Sequence, residues 1–359
     1  MKLVLEVPFN SLSFGNVSLN IIRELHRRKV EVAIFPTGEI ELSAYDLSDD
    51  LKKYIEDGVN KRWEIISADI PCLKLWHING SENRKTKDQY LFTFYECNKP
   101  TEIETAICSL QEKTFFSCSS AENHFKEKGL SNTQTIPLGF DEDFKPTGKE
   151  YLKDVIHFGL MGKFEKRKHT QKIIQTWLKK YGNNSKYQLS CCVTNRHFQP
   201  EQMQRIWADT LGGKNYNNLN IIPPLAKNSE VNEFLNAIDI DLTGLSGGEG
   251  WNLPSFNATC LGKWSIVLNC TSHKDWATKE NSILIEPSGE MPAEDGVFFS
   301  KDGPFSQGTF HTWTEEEAIE AMEKAESRVG QINTEGQKLG DKFTYSKTVD
   351  AILDCIYSS

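Results

Sequence analysis

The sequence predicts an α/β protein made of two doubly wound domains. Three observations predict it. The chain has 359 residues, enough for about two domains of roughly 150 residues. Short apolar runs alternate with helical patterns along it, the mark of a parallel sheet covered on both faces. The rhythm stops at Lys145-Pro146-Thr147-Gly148-Lys149 and then restarts, and Pro and Gly among polar residues read as a linker. The expected units are therefore residues 1–148 and 149–342, with a helix at about 343–359 that can pack back on the first.

Residues 3–7 read as a buried strand, followed by a loop over 8–17 that holds Asn10, Ser11, Ser13, Gly15 and Asn16. Leu19, Ile22 and Leu25 then recur at near-helical spacing, as one face of a helix requires. Residues 30–35 are the next strand and complete a βαβ unit. Further strands are expected at 72–78, 90–95, 114–118 and 135–138, with helices near 101–111 and 120–128. In the second half the strands fall at 154–160, 187–193, 219–225, 238–242, 264–269 and 282–285, with a helix at 168–181. Thr314 and Glu317 can exchange bonds at a helix start, a capping box. Residues 345–357 read as a last helix.

Composition narrows the function. Hydrophobic residues make up 38% and charged residues 25%, the proportions of a globular protein with real cores. Lys plus Arg is 41 against 50 Asp plus Glu, a net charge of −9. That argues against broad binding to nucleic acid or to an anionic membrane, both of which want a basic footprint. No run approaches the roughly 20 apolar residues of a membrane span. Nine cysteines with no Cys-x-x-Cys pair read as buried thiols rather than disulfides or a zinc site. A charge and then Pro8 interrupt the N-terminal apolar run, which makes it a poor signal peptide. The expectation is a cytoplasmic protein.

In doubly wound domains ligands bind where strands end, so the segments leaving strands carry the chemistry. The first is Thr243-Gly244-Leu245-Ser246-Gly247-Gly248-Glu249-Gly250-Trp251-Asn252-Leu253-Pro254. A strand ends, a glycine turn follows and a helix starts near Pro254, a residue suited to a first helical turn. Backbone N–H groups of Asn252 and Leu253 at that helix start form an anion site. Glu249 in the turn can accept from hydroxyls. An ordinary βα turn with a chance Glu is the alternative. The second segment runs from Phe158 to His169, with Lys163, Lys166, Arg167 and Lys168 within six positions. These cations can pair with phosphate oxygens, or form a solvated patch. The third is Leu75-Trp76-His77-Ile78-Asn79, where His77 stands at a strand end. Asp239-Ile240-Asp241 has the form of a metal-binding pair, but it lies at a strand start rather than at the ligand edge.

In this order the segments resemble the retaining glycosyltransferases of family 4, which have the GT-B fold. Glu249-Gly250-Trp251-Asn252-Leu253-Pro254 matches that family's Glu-Gly-aromatic-Gly-Leu-Pro signature, with Asn252 in place of a glycine. Eight positions after Glu249 the family has a second Glu and this chain has Asn257. Gly162-Lys163 followed by Lys168 resembles the family's Gly-Arg…Lys pair, with Arg167 next door. Ser117-Cys118-Ser119, residues 136–141 and Leu261-Gly262-Lys263 also fit, and Ser13-Phe14-Gly15-Asn16 fits the first-domain loop weakly.

The resemblance implies two Rossmann-like domains facing a central cleft. It implies transfer of a sugar, with retention, from a UDP-, GDP- or ADP-sugar to a hydroxyl acceptor, with no metal and no cofactor beyond the nucleotide sugar. Lys163, Arg167, Lys168, Asn252 and Leu253 would hold the diphosphate. Glu249, Gly248 and Asn257 would hold the sugar and ribose. Glu249, Lys168 and His77 would act in catalysis, and Ser13, Gly15 and Asn16 would line the first-domain side. The acceptor is open: a glycan, a lipid-linked sugar that brings the protein to a membrane surface, a protein or a small molecule. Base recognition is expected around Pro223-Pro224-Leu225. Rival readings are an inactive sugar-nucleotide binder and an epimerase or phosphorylase on the same plan. A dinucleotide oxidoreductase is disfavoured, because Gly-x-Gly-x-x-Gly does not follow the first strand.

Overall fold

The computed structural model describes residues 1–358. In chain order the first half contains β1 (Lys2–Phe9), α1 (Ser13–Arg27), β2 (Glu31–Ile40), α2 (Asp49–Asn60), α3 (Arg62–Ile65), β3 (Cys72–Leu75), β4 (Gln89–Thr93), α4 (Glu102–Ser109), β5 (Lys113–Phe116), α5 (Ser119–Glu127) and β6 (Thr133–Thr135). The second half contains β7 (Ile156–Lys163), α6 (Thr170–Tyr181), β8 (Tyr187–Thr194), α7 (Pro200–Leu211), β9 (Leu219–Ile221), α8 (Asn228–Ala237), β10 (Ile240–Asp241), α9 (Leu253–Cys260), β11 (Trp264–Leu268), α10 (His273–Trp276) and β12 (Ile283–Ile285). A hairpin of β13 (Gly289–Pro292) and β14 (Thr309–Thr312) follows, then α11 (Glu315–Glu326), α12 (Thr334–Lys342) and α13 (Tyr345–Tyr357).

The strands form two six-stranded sheets, ordered β2-β1-β3-β4-β5-β6 and β12-β11-β10-β7-β8-β9. Every pairing within them is parallel. Strands covered on both faces must be apolar throughout, and all five residues of β4 and of β11 are buried. Each sheet reverses its winding once, between β1 and β3 and between β7 and β10. A crevice opens outside the strand ends at such points.

The final helix belongs to the first half. Val349, Ile352, Leu353 and Ile356 share a core with Leu3, Leu5 and Val7 of β1 and Ile22 and Leu25 of α1. At about 1.5–3 kcal/mol each, those four side chains contribute a gross stabilisation as large as the net stability of a domain. Thr348 Oγ1 donates to the Pro137 carbonyl at 2.7 Å, and Arg28 meets Asp350 at 2.7 Å. The second core centres on Phe158, Leu160, Trp177 and Ile266.

Several boundaries differ from the sequence reading. The loop expected over residues 8–17 is three residues long, because β1 runs to Phe9 and α1 starts at Ser13. Its polar residues build a tight entry, with Asn10 Oδ1 accepting from the Leu12 N–H at 2.9 Å. Helices α2, α7, α8 and α12 were not singled out in the sequence; α7 buries only Thr210 fully and rests Met203, Ile206, Trp207 and Leu211 half-buried on the second core. The β13–β14 hairpin is antiparallel and half-exposed, so it lacks the continuous apolar run of the other strands. The Thr314–Glu317 capping box is present, and α13 spans the residues expected. Eight of the cysteines are buried free thiols.

Candidate functional site

The two strongest sequence segments meet at the switch point of the second sheet. β7 ends in Gly162-Lys163, beside β10, where Asp241 pairs with Gly159. Asp241 lies at the end of its short strand, not at a start as the sequence suggested. Its Oδ1 accepts from the Thr243 N–H at 3.0 Å and its Oδ2 from Ser255 Oγ at 2.6 Å. It thus ties the turn after β10 to helix α9. Asp239 accepts from the His157 N–H at 2.8 Å instead, so the two carboxylates serve different partners.

Asn252 stands where the resembling family has glycine, and its φ is +65°. Asn visits this left-handed region at modest cost. Its Nδ2 donates to the Thr243 carbonyl at 3.0 Å and lies 3.0 Å from His273 Nε2. α9 begins at Leu253 with Pro254 in its first turn, and the first N–H groups of a helix have no partner within it. Asn252 and Asn257 are each 4% exposed. The Oδ1 of each is buried and unbonded.

Gly162 has φ +137°, a conformation side chains rarely adopt, while a Cβ there would make only ordinary contact with Lys168 Cδ at 3.6 Å. Two glycines of the turn fit it against the first half. A Cβ on Gly248 would lie 2.7 Å from the Glu96 carbonyl oxygen, and one on Gly250 would lie 2.7 Å from Phe94 Cβ. Both neighbours belong to the first half, so these glycines let the turn dock against the opposite wall.

A dense charge cluster fills the space between. Lys168 Nζ donates to Glu249 Oε1 at 2.5 Å. Arg167 Nη1 lies 3.2 Å from Glu249 Oε2 and donates to the Gly248 carbonyl. Arg167 Nη2 lies 2.5 Å from Glu165 and 3.1 Å from Glu96. Burial works to raise the Glu249 carboxyl, but Lys168 and then Arg167 outweigh it and hold the group below the usual carboxylate range. The Arg167 side chain is only 4% exposed and its charge is satisfied by carboxylates. The guanidinium expected at the diphosphate is engaged by Glu165, Glu96 and Glu249. Lys163 Nζ sits 4.7 Å over the Phe298 ring, on the loop between β13 and β14.

Across the cleft, the first sheet's switch point presents an aromatic wall. Phe14 stacks on Phe94 at 4.3 Å and meets His77 at 4.7 Å. His77 stays exposed on this wall; the packing of protein around its ring, and then the Lys163 charge, lower its pKa. Ser13 lies exposed at the start of α1. Gly15 packs against the Asn10 backbone, and Asn16 Nδ2 donates to Asp141 Oδ2 at 2.7 Å. Gly15 and Asn16 are thus spent on the fold rather than turned to the charge cluster. The structure brings together Arg167, Lys168, Gly248 and Glu249, sets Asn252 and Leu253 at the start of α9 with Asn257 further along it, and turns the Lys163 side chain to Phe298. Leu225 packs with Phe234 beyond β9, two strands from the switch point.

Sequence reading missed Glu96, which follows β4 and reaches Arg167. The strand-end position that singled out His77 applies to it equally. Phe298 was also missed, because no regular element marks its loop.

No sequence family profile matches the chain, and no curated protein sequence is similar to it. Solved structures are similar in fold. A sucrose-phosphate synthase from Thermosynechococcus elongatus superposes with a TM-score of 0.73 at 10% identity, over 100% of this chain and 98% of that one. HepE of Anabaena, in complex with UDP-glucose, gives 0.68 at 11% identity over 100% of both chains. A glycosyltransferase from Rickettsia africae gives 0.66 at 10% identity over 100% and 99%. The chain has the GT-B fold: two parallel six-stranded sheets with strand ends facing across a cleft.

Proposed function

We propose that the protein is a retaining glycosyltransferase of the family 4 kind, moving a sugar from a nucleotide-sugar donor to a hydroxyl acceptor. One observation carries this reading: Lys168 pairs with Glu249 at the switch point of the second sheet, between the end of β7 and the turn that leads into α9. Cations and helix N–H groups favour a diphosphate. Glu249, kept ionised by Lys168 and Arg167, is an acceptor-only group suited to sugar hydroxyls. UDP-glucose, held by HepE, is the first donor to test.

In the reaction the acceptor oxygen forms a bond to the anomeric carbon as the bond to the phosphate oxygen breaks. The acceptor proton passes to the leaving phosphate. Lys163 and Lys168 stabilise the charge that gathers there, and Glu249 orients the sugar. His77 offers a hydrogen bond from the facing wall. No divalent ion is invoked, because these cations do the neutralising. The protein is read as cytoplasmic. An inert binder is the second reading, favoured by Asn257 where the family has a carboxylate. Incubation with a panel of sugar nucleotides, following nucleoside diphosphate release and thermal shift, separates them: binding without release supports the inert binder, and neither refutes both. Loss of release in EDTA with recovery in magnesium would overturn the cation assignment.

A further inference from the structure

Arg167 is the pivot of the charge cluster, and one of its partners comes from the other side of the cleft. Glu165 and Glu249 have side chains 3% and 6% exposed and lie in the same half as Arg167. They stay with the guanidinium whatever the cleft does. Glu96 is different. Its side chain is 30% exposed, it follows β4 of the first sheet, and it meets Arg167 Nη2 at 3.1 Å. Two cations, Arg167 and Lys168, thus face three carboxylates, and only Glu96 can leave by domain motion. Backbone contacts run beside this pair. The Glu96 carbonyl oxygen occupies the space a Cβ on Gly248 would need, and Ser117 Oγ donates to the Gly250 carbonyl at 2.6 Å. The turn bearing Glu249 is therefore docked on the first half by shape as well as charge.

We propose that Glu96 is a positioning residue: through Arg167 it makes closure of the cleft and placement of the Glu249 carboxylate a single event. One guanidinium holds Glu96 on Nη2 and Glu249 on Nη1. Its planar fork sets where the two acids lie relative to each other. With the cleft open, Nη2 keeps Glu165 alone, and the turn loses the wall that seats it. The sugar-holding carboxylate then reaches its working position only when the first half has arrived.

The kinetic part of this inference rests on the glycosyltransferase reading; the structural part does not. Glu96→Gln keeps the size and removes the charge. In acceptor-free turnover of UDP-glucose, or of whichever sugar nucleotide the panel selects, release should fall about 30-fold or more through a smaller closed population. Affinity for the free nucleoside diphosphate should stay within about threefold. The radius of gyration from solution scattering should rise, with the thermal midpoint close to wild type. A rate within about threefold of wild type, or equal losses of rate and affinity, overturns the proposal. If the wild type binds no sugar nucleotide, the functional reading falls by itself. Scattering then decides on the coupling alone, and an unchanged radius overturns it.

Discussion

Lys168→Ala tests the centre of the site. The ammonium lies 2.5 Å from Glu249, with side chains 16% and 6% exposed, so the pair is largely out of water. Removing one partner of such a pair leaves an uncompensated buried charge and typically costs about 3–5 kcal/mol. Here Arg167 stays 3.2 Å from the other Glu249 oxygen and keeps part of the compensation. A loss of about 2 kcal/mol is expected, or about 4–8 °C in thermal midpoint for a domain of this size. Glu249 contributes stability that is complete above its unfolded value and fades only as pH falls through its lowered folded value. Losing Lys168 should therefore move acid unfolding to higher pH. The double variant Lys168→Ala with Glu249→Gln should recover most of the midpoint, because the stranded charge is gone. Nucleoside diphosphate release by Lys168→Ala should drop about 10²–10³-fold, the usual cost of one charge-stabilising donor. A midpoint within about 1 °C of wild type, or a double variant worse than the sum of the singles, would refute the pairing. An unchanged rate would refute the role at the phosphate.

Three other outcomes are expected. Gly250→Ala should destabilise by about 1–3 kcal/mol, because its Cβ would lie 2.7 Å from Phe94 Cβ; an unmoved thermal midpoint says the two walls are not in contact. Asn257→Ala removes an amide whose buried oxygen has no partner, so stability should hardly change, while nucleoside diphosphate affinity falls about tenfold; calorimetry showing equal affinities removes Asn257 from the site. His169 and His273 are buried, and burial pushes the pKa of each down to about 4. An unfolded histidine takes its proton near 6.5, so the unfolded state binds more protons between about 4 and 6.5 and stability falls as pH drops through that window. The thermal midpoint should decline from pH 7 to pH 4.5 and His273→Gln should flatten part of the slope; a flat wild-type profile contradicts this.

What the sequence determined by itself was local. Continuous apolar runs predict parallel strands because a strand buried on both faces tolerates few polar residues. The Glu249 turn and the Lys163–Lys168 run were legible because glycine, proline and clustered charge act over a few neighbouring residues. α2 and α7 were not singled out, although Leu51 and Ile55 and then Met203, Ile206, Trp207 and Leu211 recur at helical spacing. Tertiary structure alone decided what depends on distance. Arg167 is buried among carboxylates because Glu249 and Glu96 converge on it from two distant segments and join Glu165, two residues away. Gly248 and Gly250 proved necessary for the opposite wall, since only folding brings Phe94 and Glu96 against them. Charge pairing and steric fit act over a few ångströms, and no spacing along the chain reports which residues, about 70 to 150 positions apart, will meet at that range.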